Sequence, residues 1–188
     1  CAPKSNLLKA GPAVSIKGKF TDRGTWMDGW ESRRKRGPGH DWCIVRLGIP
    51  GVIRALTVDT SHFTGNYPES CSVDGAVIRG KPTPARVAAA GDWKEVLPRS
   101  PLQGHTANEF TVLRGDTRFT HVRLNIFPDG GVARLRIWGE ARPDWSRLVA
   151  SKKPLDLVAA VNGGAPLDSS DEFYGRPINL IMPDRPAN

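Results

Sequence analysis

The fold is decided by residues 121–138, which read HVRLNIF, then PDGG, then VARLRIW. In a strand, Val122, Leu124 and Ile126 of the first stretch share one face, while the polar residues between them take the other. The glycines of the middle stretch can adopt the positive φ that tight hairpin turns require. We therefore predict two antiparallel strands that flank the PDGG turn as a hairpin.

The same period of two recurs through most of the chain. Strands of this kind are predicted at 42–47, 52–59, 72–79, 93–96, 109–113, 121–127 and 132–138. The 20 Gly and 16 Pro among 188 residues favour turns over long helices. We expect long loops over 80–108 and one short helix, at 155–161. Short alternating strands between Gly, Pro and Asp predict an all-β fold, an antiparallel β-sandwich.

The positive charge is concentrated near the start of the chain. The net charge is +8, and residues 1–54 carry 11 Lys and Arg against 4 Asp and Glu, whereas residues 55–188 carry 16 against 15. A concentrated excess favours a local site for an anionic partner over a generally basic surface. No stretch has the roughly 18 consecutive apolar residues of a membrane span, so we expect no membrane partner.

The cysteines argue against a cross-linked or zinc-bound fold. Cys1, Cys43 and Cys71 are odd in number and form no C-x-x-C spacing. Neither a disulfide framework nor a structural zinc site follows from them, and reduced thiols are typical of the cytosol. We therefore predict a cytoplasmic protein. Because the first residue is not Met, we also expect the chain to be a fragment or a processed product.

The densest group of polar residues lies at 26–42, which reads WMDGWESRRKRGPGHDW. Three interpretations compete: a solvated basic loop, a phosphate-binding patch for nucleic acid, and a pocket for a small anion. The acidic residues among the bases and the nearly neutral remainder of the chain count against nucleic acid. In a small-anion pocket, guanidinium forks would bind a carboxylate, while the carboxylates and His40 would handle protons or a metal.

A second polar cluster, DTSHFTGNY, lies at 59–67 directly after a predicted strand. Ordinary turn chemistry explains its Gly and Asn well, because both residue types favour turns. It explains Asp59 and His62 less well, although a lone histidine is more often structural than catalytic. The cluster is therefore a candidate site with a strong structural alternative.

The third polar cluster lies at 123–134, around the predicted hairpin. That hairpin would bring Arg123 and Asn125 on one strand close to Arg134 on the next. The simpler interpretation is cross-strand pairing on a solvated face. The functional interpretation is a polar face that contacts a ligand.

These three clusters, in this order, resemble the allantoicase family, which degrades ureides in purine catabolism. The matching strings are GKFTDRG at 18–24, WMDGWESRRKR at 26–36, GHDW at 39–42, LGIPGVIR at 47–54, VDTSHFTGNYP at 58–68 and RLNIFPDGGVARLR at 123–136. The resemblance extends over nearly the whole chain.

The resemblance implies a fold and a domain organisation. Members of the family consist of two tandem repeats, each a jelly-roll β-sandwich of the galactose-binding-like kind. Residues 1–145 then correspond to most of the first repeat, 146–153 to a linker, and 154–188 to the opening of the second repeat. The chain would be about half of an enzyme.

The resemblance also implies a reaction, the hydrolysis of allantoate to ureidoglycolate and urea by cleavage of a linear amidine C–N bond. The expected catalytic residues are Glu31, His40, Asp41, Asp59 and His62. The expected substrate-binding residues, which would bind the carboxylate and the two ureido groups, are Arg33, Arg34, Thr60, Asn66, Arg123, Asn125 and Arg134. General acid–base catalysis by these groups fits such a reaction.

Two routes to an activated water molecule stay open. A side chain could act as the general base, or a divalent metal cofactor could lower the pKa of the water. His40, Asp41, Asp59 and His62 are the available metal ligands, but their spacing matches no recognised metal signature.

The partners expected from the family resemblance are allantoate, as a small anionic substrate, and further copies of the chain in a homo-oligomer. The main alternative function is a non-catalytic jelly-roll module that binds a small ligand. A nucleic-acid binder acting through 33–36 is the weakest alternative, so we expect no nucleic-acid partner.

Overall fold

The computed structural model describes residues 4–22, 24–80, 82–112, 115–152, 154–162, 169–170 and 180–181. The strands are β1 (Phe20–Thr21), β2 (Gly24–Thr25), β3 (Trp30–Glu31), β4 (Asp41–Asp59), β5 (Ser70–Ala76), β6 (Lys94–Pro101), β7 (Ala107–Thr111), β8 (Phe119–Phe127), β9 (Gly131–Val132) and β10 (Arg134–Ala141). The helices are α1 (Pro84–Ala88) and α2 (Trp145–Ala150), with 3-10 turns at Lys4–Leu8 and Ala160–Asn162.

The long strand β4 contributes to two layers of antiparallel sheet. Its first part, from Asp41 to Arg46, pairs with β8, and its second part pairs with β10 on one side and β7 on the other. The pairing register shifts between Arg46 and Gly51, where the chain reads RLGIPG. Strands that bend and change layer in this way are typical of β-sandwiches. The sheet order is β10-β4-β8-β5-β6.

The core fills the space between these layers, and its pattern is the predicted one. Val122, Leu124 and Ile126 of β8 are all 0% exposed. They pack in one cluster with residues such as Leu56 of β4 and Leu135 of β10. Full burial of a side chain of this size contributes about 1.5–3 kcal/mol to folding. The alternation in 121–127 therefore identified the core face of the central strand correctly.

The predicted hairpin between 121–127 and 132–138 is wrong. β8 pairs with β4 and β5, whereas β10 pairs with β4 and, among the described strands, with no other. The PDGG stretch carries the chain from one layer to the other, and a short β9 pairs with β3 before β10 begins at Arg134. Gly130 does adopt a positive φ of 132°, and an added Cβ there would lie 2.7 Å from the backbone nitrogen of Pro68. Position 130 therefore requires glycine. The reason is that the chain crosses there from one layer to the other, and not that it turns in a hairpin.

The helices lie where the sequence did not predict them. The helix expected at 155–161 is wrong, because the only regular turn there is the 3-10 turn at Ala160–Asn162. Instead, α2 occupies part of the predicted linker and is capped by the preceding Asp144, whose side chain accepts a hydrogen bond from Arg147 N. In the region expected to be long loops around a strand at 93–96, the unpredicted α1 forms, and the predicted strand is present as the longer β6. None of the described helices has the length and apolar character required to span a bilayer. Most of 154–188 lies outside the described residues.

Candidate functional site

The structure separates the twelve predicted site residues into two groups. The group that we call the rim cluster lies around β3, the following loop, the start of β4 and the end of β8. It consists of Glu31, Arg33, Arg34, His40, Asp41, Asn66, Arg123 and Asn125. The group that we call the inner cluster lies where β4 ends and β10 begins, and it consists of Asp59, Thr60, His62 and Arg134.

An open groove in the rim cluster carries the basic residues. Arg33 and Arg34 are exposed and line it together with Asp41 and the tryptophans Trp30 and Trp42, around a volume of about 460 Å³. The loop that presents the arginines has no regular structure. It is held to the β8–β9 crossing, because Ser32 N donates to Gly130 O at 3.0 Å and Lys35 N donates to a carboxylate oxygen of Asp129 at 2.6 Å.

Asp41 is a paired carboxylate at the edge of this groove. Its Oδ1 lies 2.8 Å from Lys35 Nζ. Burial raises its pKa, but hydrogen bonds from Lys35 and Ser32 and the positive charges of Lys35 and His40 outweigh that effect, so the pKa of Asp41 lies below its ordinary value. Asp41 is therefore a fixed negative charge next to the arginines and a weak base.

His40 contacts a buried amide whose orientation the neighbouring groups determine. Asn125 Nδ2 donates to Asp74 Oδ2 at 2.9 Å and to Ser72 Oγ at 3.0 Å. Because a carboxylate only accepts, the amide oxygen of Asn125 must point the other way, and it lies 3.3 Å from His40 Nε2. That oxygen also only accepts, so His40 Nε2 carries the hydrogen. In the neutral ring, Nδ1 of the exposed His40 is then unprotonated and able to take up a proton.

The hydrogen bonds from Asn125 to Asp74 and from His40 to Asn125 form a chain that we call the relay. Arg123 lies beside the relay and binds the same Asp74 carboxylate. Its Nη2 is 2.9 Å from Asp74 Oδ2, and its guanidinium carbon is 4.8 Å from the centre of the Trp93 ring. The register explains this arrangement, because Arg123 is paired with Asp74 and Asn125 with Ser72 across β8 and β5.

Glu31 and Asn66 form the third contact of the rim cluster. Asn66 Nδ2 donates to Glu31 Oε1 at 2.6 Å. Glu31 pairs with Gly131 across β3 and β9, and the Gly131 nitrogen donates to Asn66 O. The crossing after β8 thus places Glu31 and Asn66 together.

The inner cluster is dominated by a buried ion pair between Arg134 and Asp28, each with a 3% exposed side chain. Arg134 Nη2 lies 2.6 Å from Asp28 Oδ2, and the remaining guanidinium hydrogens go to the backbone oxygens of Gly11, Pro12, Asp28 and Ala133. Arg134 therefore has no N–H left for a ligand. The prediction that it lies on the strand next to Arg123 is wrong, because β4 separates β8 from β10.

Asp28 also holds the beginning of the chain against the sandwich. Its carboxylate accepts from Asn6 Nδ2, Lys9 Nζ and Val14 N, each at 3.1 Å. Burial raises the pKa of Asp28, but the hydrogen bonds from Arg134, Val14 and Lys9 outweigh burial and hold it below its ordinary value.

The other inner residues are also engaged in the fold. Thr60 is fully buried, and its hydroxyl contacts the backbone oxygens of Gln103 and Thr106. Asp59 accepts from Ser61 N at 2.7 Å, as in an ordinary turn. His62 has a left-handed φ of 69° and donates from Nε2 to Ala13 O at 3.2 Å. The backbone N–H of His62 donates to His105 Nδ1 at 2.9 Å.

The predicted metal ligands do not converge. His40 and Asp41 belong to the rim cluster, whereas Asp59 and His62 belong to the inner cluster. Within the described ranges, no three His, Cys, Asp or Glu side chains are grouped so that they could hold a metal ion.

Sequence reasoning missed the residues that orient the rim cluster: Lys35, Ser72, Asp74 and Asp129. Ser72 and Asp74 alternate with apolar residues in a predicted strand, which marks them as sharing a face. Only the register between β5 and β8 shows that this face is the one carrying Arg123 and Asn125.

The family model named "Allantoicase repeat" matches residues 1–142. The chain belongs to the allantoicase family. It is 47% identical over its full length to a probable allantoicase of Pseudomonas aeruginosa and 44% identical to probable allantoicase 1 of Burkholderia mallei, and it covers 54% of each. The chain thus spans about half the length of the curated relatives it matches.

A solved structure agrees with this assignment. The crystal structure of allantoicase from Saccharomyces cerevisiae matches 71% of the chain with a TM-score of 0.56 and 32% identity, and the match covers 35% of the yeast chain. The fold predicted from the sequence, an antiparallel jelly-roll β-sandwich of the galactose-binding-like kind, is confirmed. The allantoicase resemblance drawn from the three polar clusters is confirmed as well.

Proposed function

We propose that the protein containing this chain is an allantoicase, which uses water to split allantoate into ureidoglycolate and urea. The observation that carries the proposal is the family match over residues 1–142, together with relatives that align over the whole chain. The rim cluster supports it, because it combines exposed cations, an exposed histidine and amide groups in one region. A cytoplasmic location and a homo-oligomeric state stay predictions.

The exposed arginines of the groove are the proposed carboxylate anchor. Allantoate carries one carboxylate, and a guanidinium group can bind it through two parallel N–H···O bonds. Arg33 and Arg34 are exposed, and the structure describes no ion pair for either of them. Asp41 lies beside them but is paired with Lys35, so it offers limited competition for their charge.

His40 is the proposed general base. Its Nδ1 can take a proton from water as water attacks, because the hydrogen on Nε2 is fixed by the Asn125 oxygen. Asn125 is then a positioning residue, since it is 4% exposed and acts through the histidine. Asp74 is placed to orient Asn125 in turn. A base of this kind typically contributes about 100- to 10,000-fold to the rate.

Glu31 and Asn66 are the proposed partners of the ureido groups. Glu31 Oε1 already accepts from Asn66, and the second carboxylate oxygen can accept a ureido N–H. The backbone of Asn66 is held by Gly131, so the pair is fixed relative to β9. The inner cluster, in this proposal, supports the fold, and no step is assigned to Asp59, Thr60, His62 or Arg134.

Urea release from allantoate by the intact protein tests the proposal. We expect urea to appear at a rate proportional to enzyme and to persist after treatment with a chelator, because no proposed step uses a metal. Binding of allantoate without urea release would instead support the non-catalytic ligand-binding module. Absence of both from the folded protein would contradict the proposal.

A matched pair of variants tests the carboxylate anchor. Arg33→Gln removes a cation that lines the groove, whereas Arg36→Gln removes an exposed cation of the same loop that does not line it. We expect the first to raise KM by about 10-fold, which is the scale of one charge-assisted hydrogen bond, and the second to change it less than about 2-fold. Equal effects of both would show that only the overall charge matters.

A further inference from the structure

A second concave region lies at the start of β8, whereas the His40–Asn125 contact lies near the end of that strand. It is a cleft of about 680 Å³ next to Thr120 and His121, bordered by the bend of β4, the segment after β5 and the start of α2. We call it the arginine cleft, after four arginines that line it: Arg46, Arg79, Arg118 and Arg147. At about 3.3 Å per residue, His121 lies roughly 13 Å along the strand from Asn125, so the cleft is separate from the rim cluster.

The charge in the arginine cleft is not balanced by neighbouring carboxylates. Among the described residues, the structure shows no ion pair for any of the four arginines, and Asp144 is the one acidic residue in the lining. Asp144 is already engaged, because its side chain caps α2 by accepting from Arg147 N at 3.1 Å.

Two acidic groups that are near Arg118 or Arg147 along the chain are paired elsewhere. Asp116 and Glu140 lie 2.8 and 2.6 Å from Arg54, and Glu140 is also 2.8 Å from Arg142. They therefore form a separate network with their own cations.

The positive charge of the cleft acts on its buried histidine, His121. His121 is 6% exposed and is paired with Arg46 across β4 and β8. Burial, and then the positive charge of Arg46, lower the pKa of His121 below its ordinary value. An anion bound between the arginines would oppose that field.

We propose that the arginine cleft binds a small molecule with two or more oxyanion groups, either phosphates or carboxylates. Planar guanidinium forks match both groups in bidentate geometry. The volume lies in the range of small-molecule sites, about 300–1,000 Å³. Four cations against one engaged carboxylate favour several negative charges on the ligand over a single one. This site goes beyond the proposed hydrolysis, whose groove lies at the other end of β8.

Calorimetric titration of the intact protein with inorganic pyrophosphate and with citrate tests the proposal, with acetate as the singly charged control. We expect at least one of the two multivalent anions to bind at about 0.15 M salt, and acetate to bind more weakly by about 10-fold or more. Tighter pyrophosphate binding identifies a phosphate ligand, and tighter citrate binding identifies a carboxylate ligand.

Variants locate the binding. Arg79→Gln should weaken it by about 10-fold, on the scale of one charge-assisted hydrogen bond, whereas Arg86→Gln removes an exposed arginine outside the cleft and should change it less than about 2-fold. Urea release by Arg79→Gln in the absence of added anion should equal that of the unsubstituted protein, so the result is independent of the hydrolase proposal.

Three outcomes would overturn this inference. The first is the absence of binding of either multivalent anion to the folded protein. The second is binding that Arg79→Gln and Arg86→Gln weaken equally. The third is binding of nucleic acid with no binding of the small anions.

Discussion

The rim cluster and the inner cluster contain the same kinds of residue, yet they differ in what their polar groups contact. In the inner cluster, Thr60 and Arg134 are buried and their donors are used within the fold. In the rim cluster, His40, Arg33 and Arg34 are exposed, and neighbouring groups orient His40 without covering it. Polar composition alone therefore does not separate the two regions. Burial and hydrogen-bond partners do, because they show which polar side chains stabilise the fold and which are available to a ligand.

The largest expected effect is loss of stability when the buried ion pair of the inner cluster is broken. Arg134→Met leaves the Asp28 carboxylate buried without its main partner, and such a change typically costs about 3–5 kcal/mol. Urea denaturation should show this drop in the free energy of unfolding. Arg33→Met, the matched change in the rim cluster, should cost less than about 0.5 kcal/mol. Similar costs at both positions would break the comparison.

A smaller loss of stability is expected at Thr60. Thr60→Val keeps the shape of the side chain but removes the hydroxyl that accepts from Thr106 N at 3.1 Å. Leaving this part-buried donor without its partner should cost no more than the roughly 1–3 kcal/mol of a fully buried one. Thr64→Val, on an exposed turn residue of the same segment, is the control and should lie within about 0.5 kcal/mol of the unsubstituted protein. Equal stability of both variants would place Thr60 outside the supporting network.

Asn125 sharpens the comparison because it is buried and yet belongs to the rim cluster. Asn125→Ala removes the acceptor that orients His40, and we expect kcat for urea release to fall by about 10-fold. In a double-mutant cycle, the same change should have little further effect once His40 is replaced by Ala, because Asn125 acts through the histidine. Additive effects would show that Asn125 acts on its own.

The smallest expected effect is on how the free energy of unfolding depends on pH in the acid range. The folded-state pKa of Asp28 lies below its ordinary value of 3.8, so its contribution is present above that value and is lost as the pH falls through the folded-state pKa. The free energy of unfolding should therefore decline as the pH falls below about 4. In Asp28→Asn this decline should be less steep. An unchanged pH dependence would contradict a supporting role for Asp28.

The sequence predicted the local features of the fold well. The alternation in 121–127 located the core face of β8, because a period of two is set by strand geometry alone. The three polar clusters also identified the family, and that identification is confirmed. The predicted roles of individual site residues stay predictions.

What the sequence did not predict depends on distant contacts. The alternating pattern does not say which strands are neighbours, so the hairpin at 128–131 was wrong and the strand of Arg134 was placed next to that of Arg123, whereas β4 lies between them. Arg134 and Asp28 are 106 residues apart, and nothing local marks them as a pair. The relay from Asp74 through Asn125 to His40 likewise exists only once β5, β8 and β4 adopt their register.

The most direct test of the account measures turnover and stability of His40→Ala side by side. The account predicts that urea release from allantoate falls by about 100-fold or more. It also predicts that the free energy of unfolding falls by no more than about 1.5 kcal/mol, because the ring is exposed and the change removes one hydrogen bond, to Asn125. Turnover close to that of the unsubstituted protein, or a loss of turnover accompanied by an equal loss of stability, would contradict the separation of the two clusters.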